Sequence, residues 1–138
     1  MGLEQLSDRY ADHNRLERGA GFIFAGPERA ELFRRYVGGP GRRVLDLGCR
    51  DGALTRAYAV ENEVVGVDAD RDALSEAGKL GIETHWADLD EPLPFEDASF
   101  DVVVAGELLE HLRDPGRLVP LHARLFANDI VFSGRKPR

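Results

Sequence analysis

The chain has 138 residues, of which 43% are hydrophobic and 31% are charged, so we expect one soluble globular domain with a sizeable core. Its formal net charge of −7 argues against non-specific nucleic-acid binding, which needs lysine and arginine to neutralise phosphates. No signal-peptide pattern is visible, no apolar run approaches the ~20 residues of a membrane span, and the single Cys49 fits a reducing compartment, so we expect a cytoplasmic protein without membrane contact.

The N-terminal residues 1–26 are polar and mixed in composition, and we interpret them as a segment or lid beside a domain formed by residues 27–138. Pro27 suits the first turn of a helix, and apolar residues follow it at helical spacing up to Val37. The glycine- and proline-rich stretch 38–41 ends this predicted helix.

Short apolar runs then alternate with helical patterns. Four strands are predicted, at 42–47, 64–68, 82–87 and 100–105. A crossover helix is expected over residues 52–60, and Asp70 is a plausible N-cap for a helix that runs to about Lys79. This alternation with short connections predicts an α/β fold with a parallel sheet.

The C-terminal part continues the same alternation. A short helix is expected over residues 107–112, and a second helix over 115–127 that Pro120 kinks or ends. A final strand at 129–133 fits beside the fourth strand, which gives the sheet order 3-2-1-4-5.

Two acidic residues lie just before and within the glycine loop 48–52. Asp46 precedes the loop and Asp51 lies within it, so both carboxylates would repel a pyrophosphate docked on the helix N-terminus. A ligand that carries an ammonium and a sulfonium, as S-adenosylmethionine does, would be attracted instead. The Gly48-x-x-x-Gly52 spacing also differs from the Gly-x-Gly-x-x-Gly pattern, which disfavours a dinucleotide-dependent oxidoreductase.

Acidic residues also end the second and third predicted strands. Asp68 follows the loop by about twenty residues, where an acid accepts hydrogen bonds from both ribose hydroxyls. Asp88 is placed to accept a hydrogen bond from an adenine amino group, with Leu89 beside the ring. Since the carboxyl ends of parallel strands meet at one edge of the sheet, these acids are expected to share one site.

These motifs resemble the class I S-adenosylmethionine-dependent methyltransferase family. The matching stretches are VLDLGCRDG at 44–52, VVGVD at 64–68, ADL at 87–89, FEDASFDVVV at 95–104 and GELLEHL at 106–112. The resemblance implies a Rossmann-like three-layer sandwich and transfer of a methyl group from S-adenosylmethionine to a small-molecule acceptor, with S-adenosylhomocysteine as product. It implies cofactor contacts from Asp46, Gly48, Cys49, Gly52, Asp68, Ala69, Asp88, Leu89, Gly106 and Glu107.

Arg50 departs from the family pattern, which often has glycine at this position. We expect Arg50 to keep an unstrained backbone angle and to point its side chain to solvent. Contact between Arg50 and the carboxylate of the cofactor is the alternative.

His111 is the best candidate for a general base in this stretch, and a histidine that is bonded to backbone or simply exposed is the alternative. Glu107, Glu110 and His111 resemble a divalent-metal set of quinone O-methyltransferases and small-RNA 3′-end methyltransferases. Those proteins recruit a further ligand from later in the chain, where this sequence offers His122 without a clear reason for it to reach the site. We therefore predict no metal site.

After the fourth strand, family members continue through a helix, a turn, a fifth strand and a closing hairpin. Here residues 125–132 resemble the final strand of the family, so we expect a shortened chain with exposed sheet edges. A homodimer that hides this surface is one expectation. The alternative to an active enzyme is a module that binds S-adenosylmethionine or S-adenosylhomocysteine but lacks a complete acceptor site.

Overall fold

The computed structural model describes residues 1–18, 26–106, 108, 111–117 and 126–133. Its centre is a five-stranded parallel sheet of order β3-β2-β1-β4-β5, which confirms the predicted α/β architecture and strand order. The strands are β1 (Arg43–Leu47), β2 (Glu63–Asp68), β3 (Glu83–Trp86), β4 (Phe100–Gly106) and β5 (Phe126–Ser133).

Helices precede and connect these strands. They are α1 (Leu3–His13), a π-helical turn (Asn14–Arg18), α2 (Gly26–Val37), α3 (Arg56–Ala59), α4 (Arg71–Gly78) and a 3-10 turn (Pro115–Arg117). The predicted cap of α4 is confirmed, because the side chain of Asp70 accepts hydrogen bonds from the backbone N–H groups of Asp72 and Ala73 at 3.1 Å each.

The crossover after β1 corrects one prediction. Helix α3 begins at Arg56 rather than at Gly52, because the preceding residues form turns. Arg50 and Gly52 have φ angles of +51° and +75°, which a right-handed helix excludes. The side chain of Asp51 accepts a hydrogen bond from the backbone N–H of Ala53 at 3.1 Å and stabilises this turn.

The last strand is a second correction. β5 begins at Phe126, so residues 126–127 belong to the sheet and not to the helix expected over 115–127. Phe126 pairs with Phe100 and Asp129 pairs with Val102, so β5 contains one extra residue between these two pairs, as in a β-bulge. The helix expected over 107–112 falls mostly on undescribed residues, and Pro120 and His122 lie outside the described residues as well.

Alternating side chains of the sheet pack into two apolar clusters. On one face Val44, Val64 and Val102 pack with residues of α2, α3 and α4. On the other face Leu45, Val65 and Val103 pack against loop residues that follow β3 and β4. Residues 102–105 of β4, which lies between β1 and β5, are buried on both faces, as their continuous apolar run predicts.

The sheet ends in two edge strands, β3 and β5. The expectation that a homodimer covers exposed edges stays a prediction, which light scattering would test. Among the helices that the structure describes, none combines the length and apolar character that crossing a bilayer requires.

Candidate functional site

A cavity of about 580 Å³ opens at the carboxyl edge of the sheet, where parallel α/β folds bind ligands. Its wall is formed by α1 and the turn after it, by α2, by the glycine loop, by the ends of β2 and β4, and by the segments that follow β3 and β4. The predicted residues on this wall are Gly48, Cys49, Asp68, Ala69, Asp88, Leu89, Gly106 and His111.

The glycine loop is held against the sheet by main-chain hydrogen bonds. The N–H groups of Gly48 and Cys49 donate to the carbonyl oxygen of Val67 at 2.7 and 3.2 Å. Gly52 does not line the cavity, because it faces the core: a Cβ on it would lie 2.7 Å from the Cδ1 atom of Ile82. Gly52 therefore permits close packing at this point, and the cofactor contact that we expected of it stays a prediction.

Asp46 lies behind the loop and not on the cavity wall. It is buried, and its Oδ2 accepts hydrogen bonds from the hydroxyl groups of Thr55 and Tyr58 at 2.6 Å each. Burial raises the pKa of Asp46, and these two hydrogen bonds offset part of that rise. Asp46 thus joins β1 to the start of α3 behind the loop. Its contact with the methionine part of the cofactor stays a prediction.

Asp68 lies on the cavity wall and also fixes the glycine loop. Its Oδ2 accepts a hydrogen bond from the N–H of Arg50 at 2.8 Å, and its Oδ1 accepts one from the N–H of Asp70 at 2.9 Å. Burial raises the pKa of Asp68 to about 6, even though these hydrogen bonds favour the charged form. The two carboxylate oxygens together offer about four lone pairs, which leaves the Asp68 side chain capacity to accept a hydrogen bond from a ligand.

Arg50 corrects our expectation on both backbone and side chain. Its φ angle of +51° lies in the left-handed region, which costs free energy for a residue with a Cβ. Its side chain lines the cavity, is only 17% exposed and donates to Oδ2 of Asp51 at 3.3 Å. The loop therefore carries a guanidinium group into the cavity instead of a solvent-directed side chain.

Cys49 reaches the cavity but is 6% exposed. Burial raises the pKa of its thiol well above the usual value, and the charge of Asp46 adds to this rise. A protonated, buried thiol is a packing group and not a nucleophile.

Asp88 and Asp90 follow β3 and line the far end of the cavity. Arg113, from the segment after β4, donates to both of their carboxylates at 3.0 and 3.1 Å. Asp90 and Arg113 were not among the residues that we expected at the site, because neither stands at a strand end.

Helix α1 covers the cavity with Leu6, Tyr10 and His13. The spacing of three and four residues between them places them on one helical face, and this spacing is the signal by which the sequence identifies them. The ring centroid of His111 lies 6.2 Å from that of Tyr10 and 6.3 Å from that of His13. Burial, with the charge of Asp68, raises the pKa of Tyr10.

Two contacts attach α1 and the turn after it to the start of α4. Asn14 donates to Oδ2 of Asp70 at 2.7 Å, and Oγ of Ser7 accepts from the N–H of Arg71 at 3.1 Å. Arg29 of α2 also lines the cavity and lies against the ring of Phe33, a position that the sequence alone did not indicate.

Glu107 and Glu110 lie outside the described residues. Within the part of the chain that the structure describes, no three histidine, cysteine, aspartate or glutamate side chains are grouped to hold a metal ion. The absence of a metal site therefore stays a prediction for this stretch.

Comparison with known proteins agrees with this geometry. A family model described as a methyltransferase domain matches residues 45–129. A ubiquinone biosynthesis O-methyltransferase of Hahella chejuensis is 34% identical over 123 residues, which cover 81% of this chain and 52% of that protein. An S-adenosylmethionine-dependent methyltransferase from Mesorhizobium loti superposes with a TM-score of 0.67 at 28% identity, covering 80% of this chain and 54% of that one.

A phosphoethanolamine N-methyltransferase of Haemonchus contortus, solved with S-adenosylmethionine, shares the fold with a TM-score of 0.68 at 24% identity, covering 77% of this chain and 27% of that one. The chain spans about half the length of the curated relatives it matches. The family model covers more than half of the chain and contains most of the motifs on which the resemblance was based. This chain therefore belongs to the class I S-adenosylmethionine-dependent methyltransferase family.

Proposed function

We propose that this chain binds S-adenosylmethionine in the cavity and transfers its methyl group to a small-molecule acceptor. One observation carries the proposal: Asp68 and Asp88, at the ends of neighbouring strands, line the same cavity as the glycine loop. The cavity volume of about 580 Å³ lies within the range of about 300–1,000 Å³ that is usual for small-molecule sites.

The side chains on the wall suit the chemical groups of this cofactor. Asp68 has lone pairs to accept from the ribose hydroxyls, with Ala69 beside it. Asp88 and Leu89 would hold the adenine, and Gly48 and Cys49 would lie along the methionine part. The guanidinium group of Arg50 would pair with the cofactor's carboxylate, which is the alternative that the sequence left open.

Gly106 would adjoin the reactive end of the cofactor. For Glu107, the same position beside the cofactor is proposed from the family resemblance alone. When bound, S-adenosylmethionine supplies the methyl group and leaves as S-adenosylhomocysteine. The chain's own contribution is to hold the acceptor in line with the methyl group and to exclude water by means of α1, which we propose as the lid.

His111 is the proposed general base. It lines the cavity and faces Tyr10 and His13 of α1, so an acceptor between α1 and the segment after β4 would meet its ring. The relatives named ubiquinone biosynthesis O-methyltransferase support a hydroxyl group as the acceptor. The hydroxyl oxygen would form the bond to the methyl carbon while its proton passes to His111.

Calorimetry with S-adenosylhomocysteine and with NAD tests the binding half of the proposal. We expect heat with the former and none with the latter, and the reverse result would overturn the proposal. Consumption of the methyl donor over a panel of phenols and catechols, with and without Mg²⁺, tests turnover. Binding without turnover over the whole panel would favour the binding module instead.

The same assay tests His111. Replacing it by glutamine should lower kcat by about a hundredfold and leave the affinity for S-adenosylhomocysteine unchanged. His85→Gln is the matched control, because His85 lies outside the cavity against Phe95. An unchanged kcat in His111→Gln would remove His111 from the mechanism.

A further inference from the structure

Arg113 ties together the two segments that form one end of the cavity. Its Nη2 donates to Oδ2 of Asp88 at 3.0 Å, and its Nε donates to Oδ2 of Asp90 at 3.1 Å. The backbone N–H groups of Arg113 and Asp114 donate to Oδ1 of Asp90 at 3.0 and 3.3 Å. One arginine thus donates hydrogen bonds to two carboxylates after β3 and fixes them to the chain after β4, and its Nη2 also lies 3.7 Å from Oε1 of Glu91.

The network leaves Asp88 a single fixed orientation. Its Oδ1 accepts a hydrogen bond from the N–H of Asp90 at 2.9 Å, and its Oδ2 accepts the one from Arg113. With both oxygens held, rotation of the carboxylate would break a hydrogen bond, while each oxygen keeps a lone pair for a ligand in the cavity. Arg113 supplies one of these two restraints.

This arrangement differs from an ordinary surface ion pair. The side chains of Asp88 and Asp90 are 18% and 13% exposed, whereas that of Arg113 is 60% exposed. The planar guanidinium group contacts two carboxylates from fixed directions, and such networks hold geometry better than isolated exposed pairs. Burial alone would raise the pKa of Asp90, but the hydrogen bonds from Arg113 lower it below its usual value.

We propose that Arg113 is a positioning residue that orients the carboxylate of Asp88 toward the 6-amino group of the adenine ring. The protein would then bind adenine more tightly than a purine that lacks this amino group. Arg113 would increase this preference indirectly, by orienting Asp88. The inference rests on the proposed function, in which the adenine of the cofactor lies at Asp88.

The test compares two ligands: S-adenosylhomocysteine and its 6-deamino analogue, which carries purine in place of adenine. Calorimetry on the full chain should show that the wild type prefers S-adenosylhomocysteine by about tenfold, as expected for one hydrogen bond to a charged group. In Arg113→Met the affinity for S-adenosylhomocysteine should fall by about tenfold, while the affinity for the analogue stays within about twofold, so the preference disappears.

Arg34→Met is the matched control. Arg34 pairs with Glu31 on the exposed surface of α2 and does not line the cavity, so its loss should change neither affinity. Arg113→Lys retains the charge without the planar fork, and we expect it to show a preference between those of the wild type and Arg113→Met. Arg113→Lys also serves if thermal unfolding shows that Arg113→Met does not fold.

The possible results separate the inference from the proposed function. Equal weakening of both ligands in Arg113→Met would show a merely structural role and overturn the inference. A wild type that binds both ligands equally would overturn it as well, while leaving cofactor binding intact. A wild type that does not bind S-adenosylhomocysteine at all would instead overturn the proposed function.

Discussion

The carboxylate of Asp68 accepts a hydrogen bond from the backbone N–H of Arg50, with 2.8 Å between Oδ2 and N. The end of β2 therefore holds the glycine loop in place and, in the proposed function, also holds the ribose. If the proposed function is correct, binding of the cofactor and order of the loop depend on the same side chain.

The substitution Asp68→Ala tests this dual role. It should weaken binding of S-adenosylhomocysteine by about 1.5–3 kcal/mol, because hydrogen bonds to a charged carboxylate are lost. Calorimetry measures the affinity, and circular dichroism verifies the fold. Glu76→Ala is the control, since Glu76 is an exposed acid on α4 that pairs with Lys79 away from the cavity. Unchanged affinity in a folded Asp68→Ala protein would refute the ribose assignment.

The raised pKa of Asp68, about 6, predicts a pH dependence of ligand binding. Ribose hydroxyls donate to the ionised carboxylate, so the affinity for S-adenosylhomocysteine should fall as the pH drops through about 6. Calorimetry at pH 5 and pH 7.5 measures this change. This decrease in affinity at low pH should be absent in Asp68→Asn. An equal decrease in that variant would assign the pH dependence to another group.

The same shift has the opposite sign for stability. An unfolded aspartate titrates near pH 4, so between about pH 4 and 6 the native state binds the extra proton more tightly. The contribution of Asp68 to the free energy of unfolding should therefore increase as the pH falls through this window. Urea denaturation of the wild type and Asp68→Asn at pH 5 and pH 7.5 checks the direction. We expect the wild type to gain stability relative to the variant at pH 5, and a loss of stability relative to the variant would contradict this prediction.

Arg50→Gly separates backbone strain from ligand contact. Glycine relieves the cost of the φ angle of +51° but adds chain entropy to the unfolded state, so stability should stay within about 1 kcal/mol of the wild type. Affinity for S-adenosylhomocysteine should fall several-fold, because the partner of its carboxylate is lost. Urea denaturation and calorimetry measure the two effects.

A second ligand makes the Arg50 test specific. Methylthioadenosine lacks the amino-acid carboxylate, so its affinity should not change in Arg50→Gly. Arg50→Lys, which keeps a cation in the loop, should retain part of the affinity for S-adenosylhomocysteine. If both ligands weaken equally, the arginine shapes the loop rather than pairing with the carboxylate.

Tyr58→Phe tests the position of Asp46 behind the loop. It removes a buried hydrogen bond of 2.6 Å to the carboxylate of Asp46, which should lower the free energy of unfolding by about 1–3 kcal/mol. Affinity for S-adenosylhomocysteine should change little, since neither residue lines the cavity. Tyr36→Phe, on the exposed surface of α2, should leave stability unchanged. A loss of affinity without a loss of stability would indicate instead that Asp46 contacts the ligand.

The sheet order and the acids at the strand ends could be predicted from the sequence. Apolar runs separated by helical patterns specify a parallel sheet, and the carboxyl ends of such strands meet at one edge. Asp68 and Asp88 lie on the cavity wall for this reason. The sequence was less informative about which face of the sheet each acid lies on. Asp46 alternates with Leu45 and lies on the same face as Val44, which packs toward α2 and α3.

Other features depend on contacts between distant parts of the chain. Asn14 reaches Asp70, and Arg113 reaches Asp88, across separations that no local pattern encodes. The positive φ of Arg50 was also unpredictable, because few residues other than glycine adopt it and the hydrogen bond to Asp68 that accompanies it is a tertiary contact.

The close packing of Cys49 against Gly66 provides a chemical probe of how the glycine loop moves. A Cβ on Gly66 would lie 2.6 Å from the sulfur of Cys49, so the thiol fills the space that a larger residue in β2 would take. It is the single cysteine in the chain and is 6% exposed. We expect an alkylating reagent to reach this sulfur when the loop lifts off β2, so the rate of alkylation without ligand should report how often the loop opens.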